Sequence, residues 1–351
     1  MGLGVAECFA AAGIEVILTD ATPELTREAK ERLVRRARGH ADAGLLAESA
    51  VGRAEAVETA DDVAGTVASA DLVFEAVPED IGLKQEILGA CSAAAPRDAV
   101  IVSNTSSLPI NDLSEFVGWP GRFCGMHWFN PPEWTPGVEI IPAAATAPEV
   151  VGWLVEFLRA IGKRPAVVGD GPGFVANRIQ NALFLEAVRC VEEGLASPQE
   201  VDEVVRSCFG FRLPFFGPFQ ISDMAGLDVY ENVLDVLKEG LGERFEAPQS
   251  LRKLVEEGRT GTKSGAGFLQ YTEDEQERLL IEQEAGFAHP ADMICVGVED
   301  AYASHPAFHL RGRHAADGAG PDYEDARLYH GPPPDPASTG GRSASSPFSA
   351  A

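Results

Sequence analysis

Short apolar runs take turns with stretches of helical periodicity over residues 1–170, and few architectures accommodate that alternation. "EVILTD" (Glu15–Asp20) is the first run, and the segment after it carries Leu25, Ala29, Leu33 and Ala37 at helical spacing. "ADLVFEAVPE" (Ala70–Glu79) is followed by the helical pattern "DIGLKQEILGACSAAA", and "DAVIVSNTSS" (Asp98–Ser107) runs straight into a polar turn. "RFCGMHWFNPP" (Arg122–Pro132), "GVEIIPAA" and "RPAVVGD" complete the set, with a helix expected over Pro148–Ile161. Strands this apolar suit a parallel sheet covered on both faces. The expected fold class is therefore α/β, a doubly wound sheet built from βαβ units over residues 1–170.

After "GDGPGF" the pattern becomes helical throughout. Helices are predicted over Asn177–Glu193, Pro198–Ser207 and Ser222–Gly240, and this second, all-α domain (171–272) is expected to end near "KSGAGFLQY". Residues 273–351 read as an extension, charged and helical at first and then rich in Pro, Gly and Ser ("GPPPDPASTGGRSASSPFSAA"). That composition buries too little apolar surface to order itself, so most of the extension is expected to be disordered. His305 and His309 lie in it with Pro306 between them, and no metal site is expected there.

The 351 residues carry a net charge of −26, which argues against a nucleic-acid partner, because such binding relies on Lys and Arg neutralising phosphates. An anionic cofactor is still compatible, since helix N-termini bind phosphate through backbone N–H groups. No apolar run reaches the ~18 residues of a membrane span, and no signal peptide is visible at the N-terminus. The six cysteines are scattered without a C-x-x-C pair, which fits a reducing cytoplasm better than a disulfide or zinc framework.

Five stretches carry candidate chemistry. Gly2 and Gly4 open a helix, and Asp20 ends the next strand. In a dinucleotide fold such a glycine lets the helix pack closely on the sheet, while a carboxylate about 20 residues on binds the adenosine ribose. An ordinary helix start followed by a strand reads the same way. "EAVPEDIGLKQ" places Glu79 just past a strand and Lys84 in the following helix, either facing the crevice at the strand ends or forming a solvated charge pair. "SNTSSL" offers small polar side chains to a substrate oxygen, or a cap, through Ser107, for a helix starting near Pro109. His127 follows a strand and Glu139 begins another, a base with an orienting anion, or else His127 is a core histidine bonded to backbone. Gly171-Pro172-Gly173 is a candidate hinge, with Asn177 in the first turn of the next helix.

Taken in order, "MGLGVA", "EAVPEDIGLK", "SNTSSL", "HWFNPP" with Glu139, "PGFVANR" and "GPF" resemble the L-3-hydroxyacyl-CoA dehydrogenase superfamily over Met1–Tyr271. The resemblance implies a Rossmann-type domain binding NAD, a helical domain through which two copies dimerise, and oxidation of an L-3-hydroxyacyl-CoA, as in 3-hydroxybutyryl-CoA dehydrogenases. It implies His127 as general base with Glu139 its partner, and Ser106 and Asn177 holding the substrate oxygen. Asp20 would take the ribose, and Glu79, Lys84 and Asn130 would line the nicotinamide side. Ala76 lies where the family's backbone meets the cofactor, and Gly2 and Gly4 belong to its phosphate loop. Met1 coincides with a methionine inside that loop, so the first strand and first two glycines are expected to be missing through a start placed too late.

The family's CoA-binding Ser and Lys are not evident here, and Arg35, Arg36 and Arg38 occupy that region. "NRIQNALFLEAVRCVEEGLASPQEVDEVV" also resembles the branch acting on small hydroxy acids, the L-gulonate 3-dehydrogenase/lambda-crystallin type. A catalytically silent relative with impaired NAD binding is a third reading.

Overall fold

The computed structural model describes residues 1–288. Its strands are β1 (Ile17–Leu18), β2 (Glu58–Thr59), β3 (Leu72–Glu75), β4 (Val100–Ser103), β5 (Phe123–Trp128), β6 (Gly137–Pro142) and β7 (Arg164–Val167). They form two sheets: β1 and β2 pair in parallel, and β3 to β7 pair in chain order. Among the described residues no strand pairing joins β1 to β3. The helix Gly2–Ala11 bridges the two pieces. Its Val5 and Phe9 pack among Val100, Val102, Met126 and Trp128, while Ala6 and Ala10 pack against Leu33, Ala37 and Val57. A helix with small residues on one face and large ones on the other can lie close to one core and fill another.

The larger sheet departs from the expected all-parallel arrangement. β3, β4 and β5 are parallel, β6 returns antiparallel to β5, and β7 is parallel to β6. The cause is the link 129–136, which is shorter than the dozen or so residues a parallel crossover requires. β4 and β5 are buried along their whole length, with helices such as Ile81–Ala94 and Pro148–Ala160 over the faces. Helix starts follow local chemistry. Thr22 caps Pro23–Asp42 by accepting the Leu25 N–H, and Asp80 caps Ile81–Ala94 by accepting that of Leu83.

Between Gly173 and Ala288 the chain is helical, as expected, with α-helices Ala176–Glu192, Pro198–Val204, Pro218–Ala225, Leu227–Leu241, Gln249–Glu256 and Glu273–Ala288. Ser197 and Glu200 form a reciprocal capping box on Pro198–Val204. The single helix expected over Ser222–Gly240 is broken at Gly226, whose φ of +102° no L side chain adopts without strain. The fully buried Asp223 secures the "GFLQY" end by accepting from the Phe268 and Leu269 N–H groups and the Tyr271 hydroxyl. Glu273–Ala288 opens the extension, and the low-complexity tail with His305 and His309 lies outside the described residues. Among the described residues, no helix is long and apolar enough to cross a membrane.

Candidate active site

The antiparallel turn of β6 onto β5 sets His127 and Glu139 directly opposite one another. Nδ1 of His127 lies 2.9 Å from Oε2 of Glu139, and both side chains are buried. An ionised carboxylate only accepts, so Nδ1 carries a proton toward Glu139, and in the neutral imidazole Nε2 has the lone pair. The other carboxylate oxygen accepts the N–H groups of Val175 (3.1 Å) and Ala176 (2.9 Å), at the start of helix Ala176–Glu192. Phe129 and Phe174 close over the imidazole with ring centroids 4.5 and 5.6 Å away. Phe174 holds a left-handed φ of +48°, an uncommon conformation for an aromatic residue and one that nothing in its sequence announces.

Asn177 follows this contact. Its Nδ2 donates to the carbonyl of Ser106 at 3.2 Å, which leaves its second amide hydrogen free. Ser106 lies in the turn after β4, and that turn is organised by Glu79. One Glu79 oxygen accepts from Thr105 Oγ1 (2.5 Å), Ser106 N (3.0 Å), Ser107 N (2.9 Å) and Ser107 Oγ (2.9 Å). Burial works to raise the Glu79 carboxyl, but the donors from Thr105, Ser107 and Ser106 outweigh it and hold the group at about 2. The structure thus brings His127, Glu139, Ser106 and Asn177 into one cluster at the strand ends.

Some residues fall elsewhere than the sequence led one to expect. Lys84 does not face an open crevice: it is fully buried, with its ammonium on Glu75 Oε1 (2.8 Å) and the Val77 carbonyl (3.1 Å). Ser107 does not cap the short helix Ile110–Ser114, because its hydroxyl is engaged by Glu79. Asp170 accepts the Ile110 and Asn111 N–H groups there instead. Arg36 is bound to the carboxylates of Glu7 and Glu133, whereas Arg35 and Arg38 make exposed pairs with Glu31 and Glu55.

Residues the sequence reading passed over also matter. Glu75 is a buried carboxylate in the apolar stretch "DLVFEA", and that isolated charge was the available signal. Asn104 Oδ1 accepts the Trp128 N–H at 2.9 Å and so ties the β4 turn to the residue after His127. Lys163 holds the loop after β5 through the carbonyls of Pro132 (2.6 Å) and Thr135 (3.0 Å), and burial pulls its ammonium below the usual lysine range.

Gly2 meets Ala76 where helix Gly2–Ala11 starts beside the end of β3, whereas Gly4 is buried against Pro132 and Glu133 and does not line the cofactor side. A Cβ on Gly2 would stand 3.4 Å from that of Ala76, filling the space between the helix start and the end of β3. The N–H groups of a helix's first residues, here Gly2 and Leu3, precede the first intrahelical bond, so this helix start can bind a phosphate. Asp20 is exposed beyond the end of β1, and Asn130 is exposed in the loop after β5. A helix start backed by a glycine against Ala76 fits the pyrophosphate of a dinucleotide.

The model of the 3-hydroxyacyl-CoA dehydrogenase NAD-binding domain matches residues 1–171, and that of the C-terminal domain matches 173–271. The chain belongs to this family. It is an NAD-dependent oxidoreductase, and the family chemistry is oxidation of a hydroxyacyl group. It is 35% identical to a 5-formyl-3-hydroxy-2-methylpyridine 4-carboxylate 5-dehydrogenase from Mesorhizobium japonicum, over 81% of this chain and 91% of that one. It is 34% identical to a probable 3-hydroxybutyryl-CoA dehydrogenase from Bacillus subtilis, over 78% and 94%. The solved 3-hydroxyacyl-CoA dehydrogenase of Archaeoglobus fulgidus superposes with a TM-score of 0.66 at 30% identity, covering 82% of this chain and 94% of that one.

Proposed function

We propose that the chain oxidises an L-3-hydroxyacyl-CoA to the 3-ketoacyl-CoA, with His127 as general base. The supporting observation is the buried His127–Glu139 pair at 2.9 Å, with Asn177 and Ser106 bonded beside it. NAD, when bound, supplies the hydride acceptor. His127 Nε2 takes the hydroxyl proton, and Glu139 offsets the charge that builds on the ring. Ser106 Oγ and the free Asn177 amide hydrogen orient the substrate oxygen, an interaction worth about 3 kcal/mol in comparable sites. Phe129 and Phe174 keep water from the imidazole. Gly2, Ala76, Asp20 and Asn130 form the cofactor side, with Gly4 packed behind Gly2 against Pro132. The working form is a homodimer in the cytoplasm, joined through the helical domain.

A second reading, a small hydroxy acid without CoA, is favoured by one observation: Arg36, on the helix where the family binds CoA, is committed to Glu7 and Glu133. The substrate named for the Mesorhizobium relative is likewise a small carboxylate without CoA. Steady-state assays with acetoacetyl-CoA plus NADH, and with L-gulonate or the pyridine carboxylate plus NAD, separate the two. A kcat/KM for acetoacetyl-CoA at least tenfold above the others is expected. His127→Gln should cut kcat by about 10²- to 10⁴-fold while NADH still binds, as read by fluorescence titration. Retained turnover in that variant would remove the base assignment, and absent NADH binding in the parent would point to a silent relative.

A further inference from the structure

Among the described residues, Phe174 alone combines a side chain with a left-handed backbone, at a φ of +48° and directly after Gly173 at +71°. A bulky residue enters that region only where its surroundings compensate the strain. Here the ring is buried in the core cluster that holds Ile110, Leu113 and Ile141, and the Phe174 N–H donates to the Gly171 carbonyl at 2.9 Å. The same turn aims the next two N–H groups at one atom. Val175 and Ala176 donate to Glu139 Oε1 at 3.1 and 2.9 Å, which leaves Oε2 for His127 Nδ1 at 2.9 Å. The strands on either side of Glu139 supply no substitute donor from a side chain other than His127, since its partners in register are His127 on β5 and Ala166 on β7. Two donors on one oxygen favour the ionised carboxylate. A protonated Glu139 would instead donate to Nδ1, put the ring proton on Nε2 and leave no lone pair there to take a hydroxyl proton.

We propose that Phe174 is a positioning residue for the base: its left-handed backbone presents the Val175 and Ala176 N–H groups to Glu139, and so decides which nitrogen of His127 is free. The proposal rests on the reading of His127 as the base given above. A residue that served only as an apolar cover over the imidazole would need bulk and no particular backbone, so the two roles rank substitutions in opposite orders. Glycine enters the left-handed region freely, alanine at a cost and β-branched valine at the highest cost, whereas valine keeps the most apolar bulk of the three.

The full chain and its Phe174→Gly, Phe174→Ala and Phe174→Val variants are prepared with isotope-labelled histidine. The ring nitrogens of His127 are read by NMR at a pH where the ring is neutral, with His127→Gln identifying their signals, and thermal melts report folding. The parent and Phe174→Gly should carry the proton on Nδ1. The ratio of the Nδ1–H to the Nε2–H tautomer should fall roughly tenfold in Phe174→Ala, the factor that one hydrogen bond to a charged group is worth, and further in Phe174→Val. In acetoacetyl-CoA reduction by NADH, kcat should follow the same order, with Phe174→Gly about tenfold above Phe174→Val. The reverse order, equal tautomer ratios in the variants, or a parent ring protonated on Nε2 would each overturn the proposal. If Phe174→Val does not fold, Phe174→Gly against Phe174→Ala decides, because both lack the ring and differ in backbone freedom. The tautomer ratio is read without turnover, so a failed base assignment, seen as turnover retained in His127→Gln, is distinguished from a failure of this proposal.

Discussion

At the residue scale, the site depends on which oxygen faces which donor. His127 and Glu139 are twelve positions apart, and their pairing follows from strand register. The four residues proposed for catalysis are recognisable in the sequence through the short motifs "SNTSSL", "HWFNPP", "GVEII" and "PGFVANR". Glu75 and Lys84 are less legible, since a carboxylate and an ammonium nine positions apart on a strand and a helix read as surface charges until packing buries them. Glu79 gives a pH test. Its folded value of about 2 lies below its ordinary 4.5. Between those values the unfolded chain binds more protons, so the stabilisation is complete above about 4.5 and is lost as pH falls toward 2. Urea unfolding of the full chain should therefore show a steeper loss across that window than unfolding of Glu79→Gln, and parallel curves would contradict the assignment.

At the scale of elements, apolar runs identified the strands that lie within the larger sheet. They could not reveal β2, whose Glu58 and Thr59 are exposed and are strand only because they pair with Ile17 and Leu18. Nor could they give the direction of β6, which the length of the link 129–136 decides. Helix Gly2–Ala11 shows how an element's sequence answers to its neighbour. A Cβ on Gly4 would come within 2.4 Å of Pro132 Cγ. Gly39, within Pro23–Asp42, has nothing within 4 Å of such an atom. Gly39→Ala should thus stabilise by up to about 1 kcal/mol, the helix-propensity difference. Gly4→Ala should destabilise by about 1–3 kcal/mol, because the overlap outweighs that gain. Denaturant midpoints of the two variants check both signs.

At the scale of the whole molecule, the helical region exposes more apolar surface than a lone chain in water tolerates well. Ala176–Glu192 buries no residue and leaves Ile179, Leu183, Phe184 and Leu185 exposed, Phe184 by 62%. Leu227–Leu241 exposes Val229, Val233 and Val236, one helical stripe. A homodimer through this region should sediment at twice the mass of the chain, and Leu183→Glu with Phe184→Glu should shift it to monomer. A monomeric parent would remove the dimer from the proposed function. Local sequence dictates the alternation that makes a dinucleotide-binding sheet, the change to helices after Gly173 and the residue types of the site, because periodicity and short motifs are local. Packing of the folded chain is what turns β6 back so that Glu139 meets His127, buries Lys84 on Glu75, and sets Glu79 against the turn of Ser106. Those pairings join residues distant in the chain, and packing, register and link length select each partner from many of the same chemical type.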